Sequence, residues 1–189
     1  MSIEFPSKLS KEILDKFFTE KEIKKAFDKK ANEEENLEYE ISDIIYYGEV
    51  LSQSRPRFRV VGNWGHAYDD PKVSKFKKGF KEFVVEEIFN SVTNHVAYFP
   101  AEGEIKMNIK VFRAIPKTWS KYKKILAESG LIRPEGKPDF DNLAKSICDS
   151  LNGVIYKDDG QIVSCHVDKY FSMTPRAELS FFFKIKGNC

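Results

Sequence analysis

A mixed β-sheet with helices packed on one of its faces, an α/β (α+β) layer protein, is the fold class this sequence predicts. Three observations predict it. Ile105, Met107, Ile109 and Val111 alternate with polar residues, the period of a half-buried strand. Val73, Phe76, Phe80, Phe83, Val84 and Ile88 recur at helical spacing, as do Leu143, Ala144, Ile147 and Leu151. The two kinds of segment interleave along a chain of 189 residues, 41% hydrophobic with 16 Phe, which is long enough for one good core and an appendage.

Taken in order, residues 1–38 read as a helical N-terminal extension. Ile13, Leu14, Phe17 and Phe18 form an apolar stripe, Thr19 with Glu22 makes a capping box, and Ile23, Ala26 and Phe27 follow. Glu33-Glu34-Glu35-Asn36 reads as a polar linker to a main domain over residues 39–189. Ile41–Leu51 is apolar and β-branched enough for a strand. Arg57–Val61 and Ala67–Tyr68 flank a turn at Gly62-Asn-Trp-Gly65, with Trp64 and His66 near its tip. Pro71 opens the phenylalanine-rich helix, because proline is tolerated at the first helical position. Ser120–Ser129 is a short helix stopped by Gly130. Val154–Tyr156 and Ile162–Val167 read as strands around a hairpin turn at Asp158-Asp159-Gly160, since Asp-Gly is a strong turn signal. Ala177–Lys186 is the last strand.

The chemistry is concentrated in the run Lys137–Gln161. Asp139 and Asp141 stand two apart, so an extended backbone would point both carboxylates to one side and Phe140 to the other. Asp141 then becomes the expected N-cap of the following helix, with Lys145 and Asp149 on the same face at i+4 and i+8. Asp158 and Asp159 follow after the helix. Carboxylates held close repel unless a cation lies between them, and Mg²⁺ takes oxygen ligands of this kind together with phosphate and water oxygens. Lys145 then either contacts a phosphate or simply pairs with Asp141. The arrangement requires Asp139, Asp141 and the Asp158–Asp159 turn to meet in space.

The net charge of +2 hides an asymmetry. Arg55–Lys81 holds eight Lys or Arg against two acids, and Lys106–Lys137 holds nine against two. Residues 1–38 hold eight Lys against ten acids. The central region is therefore a candidate phosphate-binding footprint, with Arg55, Arg57, Arg59, Lys72, Lys121 and Lys124 as its candidate DNA contacts. Arg55, Arg57 and Arg59 alternate and share one face of any strand. Cys148, Cys165 and Cys189 are odd in number and widely spaced, which argues against a disulfide framework and fits a reducing cytoplasm. No apolar run reaches the roughly 20 residues that cross a bilayer. His66, His95 and His166 are too scattered to suggest a nucleophilic triad.

The Lys137–Gln161 run resembles the signature of the RusA family of Holliday-junction resolvases. That signature has Asp-x-Asp-Asn, a lysine four after the second Asp, a Leu-Asn-Gly stretch and Asp-Asp-x-Gln. Arg55-Pro-Arg57-Phe58, Ile115-Pro-Lys-Thr-Trp-Ser120 and Ile132-Arg-Pro134 are similar to phage-type members, and the likeness spans Ile45 to Lys186. The resemblance implies a homodimeric endonuclease dependent on Mg²⁺, with Mn²⁺ as a substitute, that nicks two opposing strands of a four-way DNA junction in recombination and repair. It implies a bacterial, phage- or prophage-type origin, and 5′-phosphate and 3′-hydroxyl products. Position by position it places catalytic and metal-binding aspartates on Asp139, Asp141 and Asp159, a catalytic lysine on Lys145, and Asp158 beside the third acid. Three rivals stand against it: a non-catalytic branched-DNA-binding protein with a relict acidic site, the metal–diphosphate grip of a nucleotide-sugar transferase, and a Ca²⁺ loop. No phosphate-cradling glycine loop supports the second, and the sixth-position Gly and twelfth-position Glu of an EF-hand are missing after Asp139.

Overall fold

Four strands in the order β1-β6-β4-β5 make the main sheet of this protein, seen in a computed structural model that describes residues 15–33, 36–53, 57–61, 64–68, 70–91 and 99–186. The strands are β1 (Asn36–Tyr47), β4 (Ile105–Ala114), β5 (Ile162–Ser172) and β6 (Arg176–Lys186). β4 runs antiparallel to β6 and parallel to β5, so the sheet is mixed. A separate two-stranded ribbon pairs β2 (Arg57–Val61) with β3 (Trp64–Tyr68). The chain divides into two compact units, Met1–Leu37 with Lys186–Cys189, and Glu38–Ile185.

In the smaller unit, α1 (Glu20–Glu33) starts at the expected capping box. The Thr19 amide donates to Glu22 Oε2 at 2.8 Å and the Glu22 amide donates back to Thr19 Oγ1 at 3.3 Å. Two otherwise orphaned amides are satisfied in this way, and the bonds hold the Glu22 carboxyl below its usual range. Ile13 and Leu14 of the expected stripe lie outside the described residues.

The larger unit is built as its periodicities dictate. β4 turns Ile105, Met107, Ile109 and Val111 into the core, and β6 adds Ala177, Leu179, Phe181 and Phe183. Against them pack Phe76, Phe80, Val84 and Ile88 of α2 (Pro71–Ser91) and Leu143, Ile147 and Leu151 of α4 (Phe140–Leu151). Each such side chain contributes about 1.5–3 kcal/mol by leaving water. The short helix α3 (Lys121–Glu128) is capped by Ser120, whose hydroxyl accepts from the Lys123 amide, and Gly130 follows at φ +77°. Gly153, at φ +72°, follows α4 in the same left-handed conformation, which glycine adopts at little cost. No helix among the described residues is long and apolar enough to cross a membrane.

Four expectations need correction. β1 begins at Asn36 and ends at Tyr47, earlier at both ends than Ile41–Leu51. Trp64 and Gly65 belong to β3, where they pair with Val61 and Val60, rather than to a four-residue turn. Val154–Tyr156 is no strand; these buried residues make only isolated bridges, Tyr156 with Ala101 and with Asn152. The segment Asp158–Gly160 is consequently not a hairpin. Asp158 caps a single 3₁₀ turn, Asp159–Gln161, that feeds β5. The reason is topological: β5 pairs with β4 in parallel, so the chain needs a crossover instead of a reversal.

The crossover between β4 and β5 carries α3 and α4, and its middle is tied to the polar face of the sheet. Arg133 lies 3.7 Å from the Tyr170 ring centre, Tyr170 stacks on Phe112 at 5.0 Å and 17°, and Arg176 covers Phe112 at 3.7 Å. Arg133 also bonds Asp168 at 2.7 Å and thereby depresses the Asp168 carboxyl. That contribution to stability is complete above the ordinary carboxylate range and is lost as pH falls through the lowered value.

Candidate active site

The start of α4 carries the first two acids of the signature. Asp139, in extended conformation (φ −68°, ψ 149°), is the N-cap, and the helix begins at Phe140. This replaces the expected extended Asp139-Phe140-Asp141 stretch and moves the cap two residues earlier than Asp141. The Asp139 side chain makes no capping hydrogen bond, so its carboxylate is uncommitted at the positive end of the helix dipole. Asp141, in the first turn, is exposed, and Asn142 Nδ2 sits 3.4 Å from its Oδ1. The two carboxylates therefore share one helix terminus.

That terminus opens on a cleft of about 520 Å³ bordered by Glu49, Ser52, Arg113, Lys137, Asp139 and Asn142. The Gln53 amide donates to the Asn142 carbonyl at 2.9 Å and so fastens the Glu49–Gln53 segment to α4. Lys145 is exposed one turn further along the helix. Among the described residues Lys145 and Asp141 form no ion pair; Asp149 instead takes Lys77 of α2 at 2.8 Å.

Asp158 and Asp159 lie at the other end of the sheet. Lys169 and Arg113, near the ends of β5 and β4, reach the carbonyls of Gly136, Lys137 and Pro138 just before Asp139. Asp159 opens the 3₁₀ turn that leads into Ile162, which pairs with Ile105 where β4 starts, and Gln161 bonds the Ala101 and Gly103 carbonyls there. The seven residue-to-residue steps along β5 from Ile162 to Lys169 span about 23 Å. The 12 residues of α4 span about 18 Å back along the sheet. Within one chain the two acidic groups therefore do not meet, and among the described residues no three of His, Cys, Asp and Glu gather as a metal-holding group. The second acidic end has its own cleft, about 400 Å³, beside Glu102, Glu104, Lys157 and Gln161.

Asp158 and Asp159 also differ in employment. Asp158 Oδ1 accepts from the Gly160 amide at 2.8 Å, and Gln161 Oε1 accepts from the Asp158 amide at 3.2 Å, a reciprocal capping box. Asp159, the first residue of the turn, is exposed.

Of the candidate DNA contacts, Lys72 and Lys121 are exposed, while Lys124 is half-buried and donates to the Lys117 carbonyl at 2.9 Å. Arg57 and Arg59 stand in β2 opposite Tyr68 and His66. Arg55 and His95 lie outside the described residues. His166 pairs with Asp168 at 3.1 Å on the sheet, and Trp64 is exposed.

The sequence reading passed over Arg113 and Lys169. A signal existed: Arg113 continues the inward stripe of Ile105, Met107, Ile109 and Val111, and a charge at a core-facing position needs a polar partner. No such signal marked Lys169, whose place opposite Val111 depends on the β4–β5 register.

Cys148 of α4 and Cys165 of β5 are free thiols with no disulfide between them; Cys148 Sγ lies 3.9 Å from Met107 Sδ, and the two thiols act on each other through a side-chain hydrogen bond. That bond, then burial, pushes the Cys148 thiol up, and the same bond lowers Cys165. Tyr156, fully buried, donates its hydroxyl to the Cys148 carbonyl at 2.9 Å and is pushed up by burial. Since the thiolate is the reactive form, a maleimide at neutral pH should label exposed Cys165 well before Cys148. Peptide mapping by mass spectrometry checks this, and equal rates would contradict it.

The sequence model of the family described as "Endodeoxyribonuclease RusA" matches residues 48–181, which contain both acidic groups and the cleft. A Bacillus subtilis (strain 168) protein, "Uncharacterized protein YqaN", is 40% identical over 135 residues, covering 70% of this chain and 89% of that protein.

Proposed function

Since the chain belongs to the RusA family of endodeoxyribonucleases, we propose that it is a metal-dependent enzyme that resolves four-way DNA junctions by paired nicks, acting as a homodimer. The observation that carries this reading is the uncommitted Asp139 carboxylate, with Asp141 beside it, at a helix N-terminus opening on a cleft. The donor set fits Mg²⁺ or Mn²⁺, which take one or two carboxylates and complete the shell with phosphate and water oxygens. An ion held by Asp139 and Asp141 would supply an activated water and neutralise charge developing on the scissile phosphate.

The chain's own groups do the remainder. The first-turn amides of α4 and the cations of Arg113 and Lys137 make the cleft receptive to a phosphate. Lys145, at i+4 from Asp141, places a further cation on the same helix face. Arg57, Arg59, Lys72 and Lys121 are the candidates for backbone contacts away from the cleft, so junction affinity should fall as salt rises.

The third acid comes, in this proposal, from a second copy. β5 is the edge of the sheet, with β4 on one side, and its residues 163–166 are exposed. A two-fold pairing of two β5 edges is antiparallel by symmetry. It brings the start of one β5, with Asp159, beside the end of the other, where α4 of that copy begins. Asp158, spent on its capping box, is the weaker candidate. Symmetric sites of this kind suit a substrate that is cut on two opposing strands.

The test is a synthetic four-way junction incubated with and without Mg²⁺. The expected outcome is paired nicks with 5′-phosphate and 3′-hydroxyl ends, lost with chelator, and little cutting of a linear duplex of the same sequence. A protein that binds the junction in Mg²⁺ without ever nicking it is the non-catalytic junction binder, and the proposal ends there.

A further inference from the structure

Three consecutive carbonyls lead into Asp139, and two cations hold all of them. Lys169 Nζ donates to the Gly136 and Pro138 carbonyls, both at 3.2 Å, and Arg113 Nη1 donates to the Lys137 carbonyl at 2.7 Å. The cations rise from neighbouring parallel strands: Lys169 is opposite Val111 and Arg113 is opposite Phe171. Both occupy positions on the core-facing side of the sheet, where an unsatisfied charge would be costly. The 136–138 backbone in turn belongs to a non-helical loop that gains no ladder bonds of its own. Charged donors bond carbonyls more strongly than neutral ones do.

We infer that Lys169, with Arg113 beside it, is a positioning residue: it clamps the Gly136–Pro138 backbone and so fixes where Asp139 meets the cleft and where Asp141 stands beside it. The inference rests on the reading of the cleft as the nuclease site. Neither carboxylate touches Lys169 in this account; the lysine acts through the backbone. A carboxylate displaced by about 1 Å is enough to cost roughly 100-fold in rate. Arg113 differs in also bordering the cleft, so Lys169 is the cleaner subject for a test.

The experiment compares wild type with Lys169→Met, Lys169→Gln and Lys169→Arg in the full chain. In Lys169→Met, hydrogen–deuterium exchange should rise for peptides spanning residues 136–142 while core peptides of β4 and β6 stay protected. The Mn²⁺ concentration needed for half-saturation, read by electron paramagnetic resonance, should rise. Nicking should fall roughly 100-fold, with junction affinity in Ca²⁺ unchanged. Lys169→Arg should restore all three, and Lys169→Gln should fall between. Unchanged exchange at residues 136–142 overturns the clamp. A loss of junction affinity that accounts for the lost nicking also overturns it, by making Lys169 a phosphate contact. Global loss of protection in Lys169→Met moves the decision to Lys169→Gln, read the same way. Should the wild type fail to nick any junction, the nuclease reading falls while local exchange still decides the clamp.

Discussion

Mixing Asp141→Asn protein with Asp159→Asn protein, each inactive alone, should restore nicking. Each substitution removes one metal-binding carboxylate and should lower nicking by at least about 100-fold, since even outer-shell partners of bound metals cost 10–100-fold. Binding of the junction should survive, because the phosphate-contacting cations remain. In a mixed dimer one site then combines intact Asp139 and Asp141 from one copy with intact Asp159 from the other, and the second site carries both lesions. Random reassortment makes half of the dimers mixed with one good site each, so about one quarter of wild-type sites return.

The product distinguishes this outcome further: one working site gives nicked junctions but not resolved ones. The expectation follows from lengths. Twelve residues of α4 lie between the Asp139 cap and the far side of the sheet, about 18 Å, and no side chain spans that. If native mass spectrometry shows mixed dimers and nicking stays absent, the acids do not combine between copies.

Leu143→Ala should destabilise the protein by about 2–5 kcal/mol, measured by urea denaturation. Leu143 is fully buried in the first turns of α4, directly behind Asp139 and Asp141, and its side chain belongs to the core shared by β4, β6 and α2. Truncation removes buried apolar area and leaves a cavity that a closely packed interior fills only in part. The control is its neighbour Phe140, which is 60% exposed; Phe140→Ala should stay within about 0.5 kcal/mol. Equal costs for the two would mean that the helix does not seat as described. Because Leu143 anchors the turn that bears the acids, part of any lost nicking should recover when the temperature is lowered.

Much of this molecule was legible before its shape. The phenylalanine stripe of α2, the alternation of β4 and the stripe of α4 each bury one face, and periodicity alone reports that. The family was legible too, because the acidic run Lys137–Gln161 carries its signature. The N-cap was misplaced because Asp139 and Asp141 are equally good capping residues, so residue type does not choose between them. The Asp158-Asp159-Gly160 turn was misread because Asp-Gly reports a local bend without naming the strand that follows as a partner. Local sequence reports conformation over a few residues.

By itself the sequence determined which faces of α2, β4 and α4 turn inward, and it named the acids and cations that are candidates for the chemistry. Only the tertiary structure decided that β5 lies parallel to β4 at the sheet edge, that Lys169 and Arg113 close on the loop before Asp139, and that Asp159 stands a helix length from Asp139. The physical reason is range: side-chain period and capping act over one or two turns of chain, whereas strand order and the separation of the acids are set by which buried faces pack together across the whole core.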